Sequence, residues 1–224
     1  MPANTTIAYR ITRSRRKTIA LYVRDGSIEV RAPLHADDAG IHDWVNSKQG
    51  WIVQQLQRQA SQQQQKPLLC DGGSLLFLGR PRQLQYIRGT PAIIEQDDRL
   101  LVRHRQPSQM AGLLQQWLRT EAELYLTGRT RELAAHMQET RLSDIRFRKT
   151  RSKWGHCTST GVLQFNWLII MAPPEVIDYL IVHELSHLQH MNHSPAFWQR
   201  VECFCPDYRQ LRQWLKDNGH RLAL

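Results

Sequence analysis

A chain of 224 residues with 41% hydrophobic and 22% charged residues is long enough to bury a core and has the balance of a globular protein. Its longest apolar run, at 168–174, is far short of the about 20 residues that span a bilayer, and its first residues hold no apolar stretch of signal-peptide length. The net charge of +10, from 30 Lys+Arg against 20 Asp+Glu, admits a nucleic acid or other phosphate-bearing partner as well as a merely solvated basic surface.

The four cysteines, Cys70, Cys157, Cys203 and Cys205, form no C-x-x-C pair. A disulfide scaffold or zinc knuckle is therefore excluded, and reduced thiols in a cytoplasm are expected. Basic residues are densest in "RSRRK" at 13–17 and "RFRKTRSK" at 146–153.

In chain order, "IAYRITRS" and "TIALYVRDGSIEVRAP" alternate apolar and polar residues and predict a meander of strands, with Asp25 and Gly26 in a turn. Ile41, Trp44, Val45, Trp51, Ile52 and Leu56 then recur at helical spacing, with Asp37 or Asp38 as the cap. The glutamine tract "SQQQQKP" reads as a solvated linker or a fraying helix end. Short strands come next in "GGSLLFLGRPRQLQYIRG", "PAIIEQD" and "RLLVRHR". Near Gln106 the character changes: Leu113, Leu114, Trp117, Leu118, Ala122 and Leu126 form one face of a long helix. Two strand-like runs lie in "LSDIRFRKTRSKWGHCTSTGVLQFNWLIIMAP", and Pro173 and Pro174 introduce another helix. The expected fold class is α+β, with a β-rich N-terminal region carrying one helix at 1–105 and a second α+β domain at 106–224.

That last helix contains His183-Glu184-Leu185-Ser186-His187, a match to H-E-x-x-H. Positions four apart on a helix share a face, so both imidazoles reach one ion. Nitrogen ligands suit zinc and leave room for a third ligand and a water. Glu184 stands beside the first ligand, where it can take a proton from that water instead of binding the metal. Two histidines compete for the third ligand position. His190 lies about 10.5 Å along a straight helix from His183, against about 6 Å for His187, which is too long a span for one ion. His193 comes after an asparagine able to end the helix, so the chain can turn back, and His193 is the better ligand.

The stretches "RSKWGHC", "GVLQFNWLIIMAPPEVIDYLIVHELSHLQHMNHSPAFW" and "CPDYRQLRQWLKDNG", with "RSRRKTIALYVRDGSIEVRAP", "WVNSKQGWI" and "FLGR" nearer the N-terminus, resemble the YgjP-like metallopeptidase domain family, related to the SprT-like and WLM zincins. The resemblance implies a zincin-like domain with zinc held by His183, His187 and His193 and with Glu184 as general base. His156 stands where the family usually has the serine of W-G-S-C, which makes any substrate role of that loop less transferable. The spacing from His187 to His193 is also that of metzincins, but His190 occupies their glycine position.

The family is described as metallopeptidases, and one bacterial relative is linked to hydrolysis of a nucleoside triphosphate to the monophosphate and pyrophosphate. A peptidase needs an edge strand beside the metal, and 162–170 is expected to supply it; its alternating Leu163, Phe165, Trp167 and Ile169 also suit an interior strand. A pyrophosphatase acting on a substrate such as UTP needs cations, and Arg148, Lys149, Arg151 and Lys153 are candidates. Tyr179 and Tyr208 are candidate oxyanion stabilisers, while Phe197 and Trp198 are expected to pack under the helix after the third ligand. The leading expectation is a zinc-dependent metallopeptidase; the alternatives are a nucleotide pyrophosphatase and a nucleic-acid-associated protein with a structural metal, for which Glu184 has no use.

Overall fold

The computed structural model describes residues 7–65 and 67–224. Packing divides the chain into two compact units, Met1–Gln65 and Lys66–Leu224. Among the described residues no helix is long and apolar enough to cross a membrane.

The first unit holds strands β1 (Arg10–Ser14), β2 (Ala20–Arg24) and β3 (Ser27–Pro33), then helices α1 (Asp38–Ser47) and α2 (Gln49–Gln64). Asp25 and Gly26, both with positive φ, close β2 onto β3 as a two-residue turn. The expected meander does not form, because β3 is central and β1 pairs with it in parallel. Its alternate residues Ile28, Val30 and Ala32 face Ile41, Val45 and Ile52 of the helices in a separate small core. Asp37 is the cap, accepting from the Gly40 N–H. The one expected helix is two, interrupted at Lys48, whose ψ of 7° leaves the helical region. The glutamine tract is the end of α2 as far as Gln65, and Lys66 lies outside the described residues.

The second unit opens with β4 (Ser74–Phe77), β5 (Arg80–Arg88), β6 (Ala92–Gln96) and β7 (Arg99–His104), in the order β4-β5-β7-β6. The long helix α3 (Met110–His136) comes next and buries Leu114, Leu118, Ala122, Leu126, Thr130 and Leu133 along one face. A second sheet of β8 (Asp144–Arg148), β9 (Gly155–Cys157) and β10 (Val162–Asn166) has the order β8-β10-β9. A 3-10 turn (Trp167–Met171) leads into α4 (Pro174–His187), and α5 (Pro195–Phe204) and α6 (Tyr208–Asn218) complete the unit. The packing division precedes the 105/106 boundary suggested by the sequence. Leu75, Phe77, Leu84, Leu100 and Val102 of the first sheet share one core with Leu114, Leu118 and Ile169–Met171, so β4–β7 belong with α3 and the 3-10 turn.

A hairpin tip sets the start of α4. Leu78 and Gly79 join β4 to β5 with positive φ, and their N–H groups donate to the carbonyls of Ile170 (2.9 Å) and Met171 (3.2 Å). A Cβ on Gly79 would lie 2.8 Å from Pro173 Cα, and its φ of +75° strains any L side chain. Gly79→Ala is therefore expected to lower stability by about 1–3 kcal/mol, read as a fall in the thermal unfolding midpoint.

Candidate metal centre

Helix α4 is fixed before it contributes any chemistry. Pro174 suits its first turn, and Val176, Ile177, Leu180, Ile181 and Leu185 bury its apolar face. Arg129 of α3 donates two hydrogen bonds to the Asp178 carboxylate, at 2.7 and 2.8 Å, locking the two helices together. The helix ends at His187, and the His190 N–H donates to the Ser186 carbonyl (3.0 Å) as the chain turns away. Ser194 then caps α5, accepting from the Phe197 N–H. His193 stands between the two helices, returned toward the first by this reversal.

His183, His187 and His193 each offer a ring nitrogen, and the three atoms lie within 4.8 Å of one another. His183 Nε2 and His193 Nε2 are 3.2 Å apart. Two nitrogens at about 2.0–2.1 Å from one tetrahedral ion stand about 3.4 Å apart, so the pair fits such an ion. The His187 ring faces the cluster through Nε2, because its Nδ1–H donates to the His190 carbonyl (3.0 Å). This backbone partner fixes ring orientation in the way a metal-binding imidazole requires. His190 thus acts on the site through its main chain, and its imidazole is outside the cluster. Phe197, fully buried, lies beneath all three rings, with centroids 5.0, 4.5 and 4.8 Å from His183, His187 and His193. Trp198 stacks on His193 at 5.6 Å, and Arg212 lies over the Trp198 ring at 4.9 Å.

Burial holds the His183 imidazole down to about 3, with the neighbouring His187, His193 and Arg212 charges adding to it, and burial lowers His187 as well. Neutral imidazoles have no proton to release before binding a cation. Glu184 is 4% exposed; burial pushes its carboxyl up to about 8, opposed by the charge of Lys153. Arg212 acts on His183 and Lys153 on Glu184, both of them cations from outside the triad.

Several expectations change at the second sheet. The run at 162–170 is not an edge strand: β10 is central, and after Asn166 the chain becomes the 3-10 turn because the Asn166 side chain accepts from the Leu168 N–H. The strand beside α4 is β9, an edge strand too short and glycine-led to show a strand pattern. Tyr179 and Tyr208 are buried walls: Tyr179 meets His183 edge-on at 5.9 Å, and Tyr208 stacks on Trp198 at 5.2 Å. Sequence reasoning also missed Asn166, a buried residue whose Nδ2 donates to the Thr150 carbonyl (3.0 Å) and whose N–H donates to the Trp154 carbonyl (2.8 Å). It fastens the loop that carries Lys153 toward Glu184.

A helix bearing two convergent imidazoles and a buried carboxylate, with a third imidazole returned beside them, has the form of a metallohydrolase centre. The family model described as "YgjP-like, metallopeptidase domain" matches residues 17–218, and the chain belongs to that family. A solved structure, that of the metallopeptidase zymogen of Pyrococcus abyssi abylysin, shares 21% identity with a TM-score of 0.37, over 41% of this chain and 93% of its own. No curated protein matches the chain.

Asn166→Ala removes two side-chain hydrogen bonds, one buried and one part-buried, and is expected to cost about 1–3 kcal/mol, measured as a shift of the denaturant midpoint.

Proposed function

We propose that the chain is a zinc-dependent peptidase in which His183, His187 and His193 hold the ion and Glu184 is the general base. The observation that carries the reading is the convergence of three imidazoles, two of them on a helix that also bears a buried carboxylate, since a purely structural zinc site has no use for the latter. Bound zinc would polarise a substrate carbonyl and bring the pKa of water toward about 7. Glu184 accepts the proton of the attacking water and passes it to the leaving amine. Lys153 favours the ionised, proton-accepting form of that carboxyl. An extended polypeptide adding to the edge of β9 lies alongside α4, which supports a peptide over a compact substrate. The free cysteines support a reducing, cytoplasmic setting.

The cations Lys153 and Arg212 around the centre favour a second reading, a nucleotide pyrophosphatase using the same base. A parallel assay of wild type and Glu184→Gln on casein and on UTP separates the two. The peptidase reading expects casein cleavage that falls by about 10²–10⁴ in Glu184→Gln; pyrophosphate release from UTP as the only Glu184-dependent activity would replace it.

Elemental analysis provides the second check. Wild type and Glu184→Gln are expected to hold one zinc per chain. His193→Ala is expected to lose affinity about tenfold or more, while His190→Ala keeps its zinc, because the hydrogen bond to His187 comes from the backbone.

A further inference from the structure

Gly155, the first residue of β9, is an expensive choice on local grounds. Glycine in a strand gives up side-chain packing and loses more conformational freedom on folding than any other residue. Backbone conformation does not call for it, since the described glycines with positive φ are Gly26, Gly72, Gly79 and Gly161. Space does. A Cβ on Gly155 would lie 2.2 Å from Glu184 Oε1 and 2.6 Å from both Cδ and Cγ of the same side chain. The three nearest atoms all belong to Glu184, and a real Cβ essentially never comes within 3.0 Å of another heavy atom.

Neither side has much room to retreat. Gly155 pairs with Phe165 of the central strand, and the adjacent Trp154 carbonyl accepts from the Asn166 N–H at 2.8 Å. Glu184 lies on a helix locked to α3 through Asp178 and Arg129, flanked by the buried Val182 and Leu185. The contact reaches Cγ as well as the carboxyl oxygen, so turning the carboxyl in place does not relieve it.

We propose that Gly155 is a positioning residue, its missing side chain forming the slot that fixes the Glu184 carboxylate where α4 meets β9. The slot stands on this geometry alone; its consequence for turnover rests on Glu184 being the general base. A methyl group at 155 drives Glu184 into another rotamer and carries its carboxyl away from the reacting water. A misplacement of about 1 Å at such a group costs on the order of 100-fold in rate, whereas displacing one side chain leaves the fold and the three imidazoles in place.

The test is a double-mutant cycle on the purified full-length chain. In thermal unfolding, Gly155→Ala is expected to lower the midpoint by on the order of 4 °C. In a Glu184→Ala background, where the slot is empty, the same methyl is expected to cost less than half as much. Equal cost in both backgrounds overturns the proposal, because the glycine would then serve the strand and not Glu184. Should Gly155→Ala alone fail to fold, recovery of folding in the double variant supports the slot, and failure of both overturns it.

In the casein assay with zinc-loaded protein, Gly155→Ala is expected to keep its zinc content and KM while kcat falls about 100-fold. Wild-type kcat overturns the positioning role. Full activity of Glu184→Gln beside an intact stability coupling would instead remove Glu184 as base and leave the slot standing.

Discussion

The centre depends on where one helix stops. A third imidazole further along α4 would stand too far from His183, at 1.5 Å of rise per residue, to converge with it. The helix ends at His187, turns through the Ser186 carbonyl and is succeeded by α5 under the Ser194 cap. The reversal returns His193 to within 3.2 Å of His183. It also turns the His190 carbonyl toward His187 Nδ1, so the residues that end the helix orient one of the imidazoles it has just supplied.

Around this turn the site is built of aromatic and apolar surface. Phe197 presses its ring against three imidazoles, Trp198 covers His193, and Tyr179 and Tyr208 close the flank. Burial lowers the His183 and His187 imidazoles and raises the Glu184 carboxyl. Lys153 acts in the other direction on the carboxyl, favouring its charge. The protonation of this carboxyl is thus set by burial on one side and by a single cation on the other.

Much of the centre is legible in the chain because helical spacing is a local property. His183 and His187 are paired by periodicity alone, and the choice of His193 comes from the limit that helix length sets on His190. The long face of α3 and the packing of Phe197 and Trp198 are likewise set by residue spacing. Pairing between distant segments is the part that escapes the sequence. The parallel partnership of β1 with β3, the central place of β10 and the edge place of β9 are decided by tertiary contact. Gly155 is the sharpest case: in the sequence it is one small residue after a tryptophan, and only the approach of Glu184 from another element shows what its smallness is for. The grouping of β4–β7 with the unit that carries the three imidazoles was hidden for the same reason, since their apolar faces match a helix and a 3-10 turn that come later in the chain.

The Leu78–Gly79 tip has a bearing on how small a working version of this protein can be. It donates to the two carbonyls just before α4 and stands against Pro173, so the four-stranded sheet serves as an abutment for the helix that carries the imidazoles. A fragment starting near residue 106 would retain His183, Glu184, His187 and His193 while leaving α4 unsupported at its N-terminal end and exposing apolar surface of α3 and the 3-10 turn. The H-E-x-x-H motif occupies a few residues, but the packing that supports its helix reaches back to β4.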